Sequence, residues 1–217
     1  MSGKDIFLER QKDRDLLVNE YLIPNGIHDE KIIRILRKIP RHYLIEKQYQ
    51  HEAYEDHPVP IGFQQTISQP FIVAFMTQTL QLNGTERILE IGTGSGYQSA
   101  ILAELCAQLY TIEILAFLSF QTQQKLRTLG YTNIQYKIGD GFYGWSEFAP
   151  FDCIILTAAP AQIPSILIQQ LKDGGTMILP LGKEGQELMK VQKRGDDIFW
   201  ESLMPVSFVN MTGRIQT

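Results

Sequence analysis

Two cysteines in 217 residues, Cys106 and Cys153, stand far apart with no CxxC or ligand-like spacing, which excludes a disulfide framework and a cysteine metal site. Both are expected to be reduced core thiols, the usual place of a free cysteine. No run of about 18 apolar residues is present, so no membrane-spanning helix is expected. The opening MSGKDIFLERQKDRD is charged and lacks the apolar core of a signal peptide, which predicts a cytoplasmic protein. Histidine is scarce, at four. His51-Glu52-x-x-Glu55 misses the zincin pattern because Glu55 holds the second histidine position. His28, His42 and His57 share no ligand spacing, read as surface or loop residues, and imply no metal. A basic excess is also missing. Twenty Lys+Arg against 24 Asp+Glu give a net charge of −4, which argues against a dedicated nucleic-acid binder.

What is present is ordinary globular composition, 44% hydrophobic and 20% charged, with no repeat or linker. The length suits one domain at roughly 100–200 residues each, and residues 1–217 are read as one domain. Residues 1–86 form its helical part and loop, and 87–217 its sheet. Residues 4–22 predict a helix broken by Pro24-Asn25-Gly26. Asp29 is placed to cap a second, striped by Ile32, Ile33, Leu36 and Ile39 and ended by Pro40. Residues 41–69 show no steady period and read as a long loop, a feature that is usually functional. Pro70 opens a helix running to about Leu82.

From residue 87 strands alternate with helices. Strands are expected at 87–91, 109–114, 134–138, 151–156 and 176–179, with helices reaching Leu105, Leu129 and Leu171. This alternation predicts βαβ units and a parallel sheet. Residues 188–192, 198–203 and 205–209 are strand-like without intervening helices and predict an antiparallel edge.

Glu90-Ile91-Gly92-Thr93-Gly94-Ser95-Gly96-Tyr97 lies between the first strand and its helix, where an α/β sheet binds ligands. The spacing is GxGxG, with bulky Tyr97 where a dinucleotide fingerprint has a small residue. Glu113, about 20 residues beyond Gly92, is placed for ribose hydroxyls. Asp140 after the third strand suits an exocyclic amine, and Glu90 an ammonium or the adjoining backbone. Three acids at successive strand ends favour a nucleoside ligand with an amino-acid tail and no phosphate, which describes S-adenosylmethionine. The alternative for each acid alone is a solvated loop residue.

Several stretches resemble the protein-L-isoaspartate O-methyltransferases. They are GIHDEKII (26–33), IPRHYL (39–44), AYEDHPVPIGFQQTISQP (53–70), LEIGTGSGYQSAILAEL (89–105), YTIEI (110–114), GDG (139–141), APFDCIILTAAPAQIP (149–164), LKDGGTMILPLG (171–182) and VSFVNMTG (206–213). The resemblance implies a doubly wound, mostly parallel seven-stranded Rossmann-like methyltransferase sheet with antiparallel C-terminal strands and a helical N-terminal cap. It implies that Glu113, with Ile114 beside it, holds the ribose, Asp140 and Gly141 the adenine, and Glu90, Gly92, Thr93, Gly94, Ser95 and Gly96 the methionine part. Ile61, Gly62, Phe63 and Gln64, with Thr66, Ile67 and Ser68, close over the cofactor, and Thr212 contacts it. Ser68 is the implied active-site residue. Ser207 and Asn210 depart from the usual arginine and proline, and Leu115-Ala116-Phe117-Leu118 is unusually apolar.

The implied reaction methylates the α-carboxylate of L-isoaspartyl residues in peptides and proteins, yielding S-adenosyl-L-homocysteine. No base, metal or covalent nucleophile is needed. Ser68 is expected to orient the acceptor by hydrogen bonding; its other possible role is capping the helix after Pro70. A monomer without nucleic-acid or membrane partners is expected. The alternatives are another methyltransferase acting on RNA or a small molecule, a noncatalytic isoaspartyl-binding adaptor, and a nucleotide-dependent oxidoreductase.

Overall fold

The structure, a computed structural model, describes residues 3–213. Helices α1 (Gly3–Leu8) and α2 (Gln11–Leu17) run into a π turn at Val18–Leu22. The helix expected over 4–22 is thus broken at Arg10, whose backbone is left-handed at φ 53°. Beyond the break Arg14 is fully buried and donates to the carbonyl oxygens of Phe7, Glu9 and Arg37 at 2.5, 2.6 and 2.7 Å. A buried charge needs such partners, and these tie the first two helices to α3 (Glu30–Lys38). Asp29 caps α3 as expected, accepting from the amides of Lys31 and Ile32 at 2.8 and 3.2 Å.

Residues 41–69 are more ordered than a loop. They hold α4 (Arg41–Leu44), a 3-10 turn at Lys47–Glu52, and a hairpin of β1 (Val59–Pro60) and β2 (Thr66–Ile67). His42, expected at the surface, is instead buried, with Nδ1 2.7 Å from the Tyr54 hydroxyl and Nε2 3.2 Å from Glu9. Burial holds its imidazole below the ordinary pKa.

After α5 (Pro70–Thr79) come β3 (Arg87–Ile91), α6 (Tyr97–Ala103), β4 (Gln108–Glu113), α7 (Ala116–Thr128), β5 (Ile134–Ile138) and β6 (Phe151–Leu156). Then follow α8 (Ser165–Gln170), β7 (Leu171–Leu181), β8 (Glu187–Arg194) and β9 (Asp197–Pro205). The sheet order is β5-β4-β3-β6-β7-β8-β9, parallel through β7 and antiparallel beyond. This is the expected doubly wound architecture. Central strands are apolar toward both faces because helices cover both. Ile88 and Ile155 pack with the N-terminal helices, and Leu89, Ile154 and Met177 with Leu167 of α8.

Two boundaries differ from expectation. Strand β7 starts at Leu171 because Gly174, at φ 77°, lies within the strand, and the register with β6 shifts between Phe151 and Cys153. Residues 205–209 are not a strand: β9 ends at Pro205, and the following segment makes one bridge, Ala159 to Asn210. Among the described residues no helix is long and apolar enough to cross a membrane, and no histidine, cysteine and acid cluster suits a metal. Strand order reverses between β3 and β6, so a crevice opens at their carboxyl ends.

Candidate active site

The glycine turn fills that crevice. Gly92 has φ 98°, and a Cβ there would lie 2.3 Å from Thr157 Oγ1. Thr157, just beyond β6, donates to the carbonyl oxygen of Gly92 at 2.6 Å, with that of Ile91 at 3.1 Å. At Gly96 a Cβ would fall 2.6 Å from Thr122 Cγ2, so the third glycine lets the α6 entry lie against α7. Tyr97 is therefore accommodated on the other side, buried with its ring under the Arg41 guanidinium at 4.9 Å.

Glu113 closes the turn from β4. Its Oε2 accepts from the Gly94 amide at 2.9 Å and its Oε1 from the Leu115 amide at 3.0 Å. A carboxylate has about four acceptor sites, so capacity remains toward the cleft that Glu113 lines. Glu90 behaves differently. It is sealed beneath the turn, where its Oε2 accepts from the hydroxyls of Ser99 at 2.5 Å and Thr111 at 2.7 Å. Burial, only partly opposed by those hydroxyls, pushes its pKa up to about 8. Its position braces the turn from below and gives it no exposed surface for an ammonium. Asp140 caps the short turn Gly141–Tyr143, its Oδ1 accepting from the Phe142 amide at 2.9 Å. A Cβ on Gly141 would meet Ile91 Cγ2 at 2.3 Å.

The cleft brings together Thr66, Gly92, Gly94, Glu113, Ile114 and Gly141 with the segment Val209 to Thr212. Its open volume is about 60 Å³. Beside it lies a groove of about 590 Å³ bordered by Ser68, Phe71, Ile72, Met204, Val206 and Phe208. No charged side chain lines this groove. A recess holding Ile67, Thr93 and Ser95 joins the two, and Thr66 and Thr157 border all three spaces.

The family model described as Protein-L-isoaspartate(D-aspartate) O-methyltransferase (PCMT) matches residues 11–216. The chain belongs to this family. A protein-L-isoaspartate O-methyltransferase of Dictyoglomus turgidum is 46% identical over 214 residues, covering 98% of this chain and 97% of the relative. That of Dictyoglomus thermophilum is 49% identical, covering 89% of each. A solved protein-L-isoaspartate O-methyltransferase superposes with a TM-score of 0.85 at 26% identity, over 93% of this chain and 67% of that one. A Plasmodium falciparum structure described as the same enzyme, solved with S-adenosyl-L-homocysteine, has a TM-score of 0.80 at 23% identity, over 92% and 97%. At that identity it speaks to the fold.

Within this isoaspartate methyltransferase frame Ser68 faces the groove and the recess, and its hydroxyl makes no hydrogen bond to the described residues. It does not cap α5. Asp56 does so from outside the helix, accepting from the Phe71 amide at 2.9 Å and the Gln69 side chain at 2.8 Å. Asp56→Ala is therefore expected to lower unfolding stability by about 1 kcal/mol, whereas Ser68→Ala leaves the melting temperature unchanged. Thermal denaturation of the two variants checks this.

Of the hairpin residues, Ile61 is buried and stands close to Gly94, whose built Cβ would lie 3.8 Å from Ile61 Cδ1. Phe63 and Gln64 are exposed at the tip and line neither cavity. Ser207 borders the groove, and the Asn210 side chain accepts from Gln186 at 3.1 Å. Thr157 was missed by the motif reading. Its signal is its place directly after an apolar strand adjoining β3, where the sheet's order reverses. Val209 to Met211 lie in the VSFVNMTG stretch that carries the resemblance, yet only Thr212 of that stretch was read as a cofactor contact, because nothing in the spacing marks a segment returning over strand ends.

Proposed function

We propose that this chain methylates the α-carboxylate of L-isoaspartyl residues in damaged proteins, with S-adenosylmethionine as donor. The observation that carries the reading is the family match over residues 11–216, joined to a cleft at the glycine turn that shares Thr66 and Thr157 with a groove of about 590 Å³. The residues fit an adenosyl group: glycines stand where side chains would block approach, and Glu113 has acceptor capacity to spare. In this reading Glu113 and Ile114 hold the ribose, Asp140, Gly141 and Thr212 the adenine end, and Gly92 to Gly96 the methionine part. Ile61 to Gln64, with Thr66 and Ile67, form the cover. Bound there, the sulfonium supplies an activated methyl group and departs as a neutral thioether.

The chain itself has little chemistry to perform. An α-carboxylate with a reference pKa of about 3.5 is already an anion at neutral pH, so no base is required. Ser68 donates a hydrogen bond that aligns the acceptor oxygen, and the hairpin excludes water. Alignment alone is worth roughly 7–11 kcal/mol when geometry is right. The backbone of Ser207, which borders the groove, is offered to the peptide as strand-like hydrogen-bonding groups, which needs no particular sequence. Gln186 and Ala159 already hold the amides of Val206 and Phe208 and the carbonyls of Phe208 and Val209. Ser68→Ala is expected to cut kcat by about 10-fold or more, the loss of a hydrogen bond to a charged group; unchanged turnover removes Ser68 from the mechanism. We extend the reading to a monomer working in the cytoplasm, where buried unpaired Cys106 and Cys153 suit a reducing compartment.

The test uses labelled S-adenosylmethionine and two peptides differing only in Asp or isoAsp. Base-labile label in the isoAsp peptide alone supports the function. Transfer to neither peptide, with cofactor bound, or transfer to RNA, overturns it.

A further inference from the structure

The apolar stretch Leu115-Ala116-Phe117-Leu118 at the start of α7 has no place in the reaction, and the fold explains only part of it. Leu118 is core, and Leu115 packs against the core. Phe117 is 58% exposed and belongs to neither core cluster. Its neighbour is Phe63, itself 53% exposed, at the tip of the β1–β2 hairpin. The two ring centroids are 5.6 Å apart at 59°, inside the range of favourable aromatic pairs.

The hairpin tip is otherwise attached weakly. Gly62, Phe63 and Gln64 are three successive residues with positive φ, at 84°, 53° and 58°, and two of them are not glycine. Such backbone persists only when neighbours hold it. The tip's backbone bonds are local: the Ile61 amide donates to Gln65 O, and the Gln65 amide to Gly62 O. At the base of the same hairpin Gln65 and Thr66 line the cofactor cleft, and so does Ile114, three positions before Phe117. The cleft's open volume of about 60 Å³ is below the roughly 300–1,000 Å³ of ligand pockets, and a displacement of the hairpin that carries Gln65 and Thr66 widens it.

We propose that Phe117 is a positioning residue that latches the hairpin tip through Phe63 and thereby sets how fast the adenosyl ligand leaves the cleft. The proposal rests on the S-adenosylmethionine reading given above. Opening separates two half-exposed rings and breaks no hydrogen bond to α7, so the latch is weak enough to release in each catalytic cycle.

The test measures S-adenosylhomocysteine dissociation from the full chain by stopped flow, together with KM for S-adenosylmethionine. Phe117→Ala is expected to speed dissociation and raise KM by about 3- to 10-fold. Turnover at saturating cofactor is not reduced and the melting temperature is unchanged. Phe63→Ala speeds dissociation to the same extent, and the double variant dissociates no faster than either single one, because each removes the same contact. Phe120→Ala is the control: that ring is equally exposed one turn along α7 and is in no ring pair among the described residues. Equal dissociation rates for the original chain and Phe117→Ala, additive single effects, or a Phe120→Ala that matches Phe117→Ala overturn the latch alone. A chain that binds no S-adenosylhomocysteine or S-adenosylmethionine overturns the cofactor reading and the latch together.

Discussion

Replacing Glu113 by alanine is expected to raise the cofactor Kd at least 100-fold, the largest effect of any single substitution in the cleft. The side chain performs two tasks at once. It accepts from the amides of Gly94 and Leu115, which fixes the turn against the start of α7, and it presents its remaining acceptor sites to the ribose. Each hydrogen bond to a charged group contributes roughly 1.5–3 kcal/mol, and two lost ribose bonds suffice for the predicted change. Glu113→Gln keeps one acceptor oxygen and should lose about 10-fold. Calorimetric titration with S-adenosylhomocysteine separates the cases. Wild-type affinity in Glu113→Ala would mean that the ribose lies elsewhere.

A second prediction runs against the habit of regarding a buried acid near a ligand site as indispensable. Glu90→Gln should stabilise the protein, and the gain should grow with pH. Glu90, Thr111 and Tyr136 pair across β3, β4 and β5 and so share one face of the sheet. There Glu90 faces Ser99 from α6 and Thr111 from β4, with Glu113 and the Tyr136 phenol as its titratable neighbours on the sheet and Cys106 beyond α6. No cation is among the groups that act on it, so burial raises its pKa from 4.5 to about 8. The folded chain then keeps a proton that the unfolded chain releases above about 4.5, so stability falls as pH rises through that window and levels off above about 8. The slope is on the order of 1 kcal/mol per pH unit. Glutamine has no proton to lose. The difference in melting temperature between variant and original should be near zero at pH 4.5 and widen up to pH 8. A difference that stays flat across this range would show that Glu90 is ionised in the fold.

The sheet was readable because its central strands are short apolar runs bounded by glycine, and a strand buried on both faces has no other way to be written. The acids at the strand ends were readable for the same reason: Glu113 and Asp140 follow directly from where the apolar runs stop. Other features depend on partners remote in the chain. Nothing local to Arg10 announces left-handed backbone; the three carbonyls that hold Arg14 do. The hairpin at residues 59–67 has strands of two residues each, too short to show a period of two. Asp56 as the cap of α5 is equally invisible, since caps are sought beside the helix and this one arrives from across a hairpin. Glu90 was placed beside the turn because that position is evident in sequence, whereas its burial beneath the turn, against Ser99 and Thr111, follows from the face of β3 to which the pleat points it.

The segment returning from β9 couples ligand to local order. The seven strands of the sheet end at residue 205, and the wall formed by Val209 to Thr212 lies beyond them, tied back by the bridge of Asn210 to Ala159. Undocking this segment opens a side of the cleft without unpairing any strand of the sheet. A ligand held by that wall therefore protects the docked segment against local opening, by an amount set by its concentration relative to its Kd.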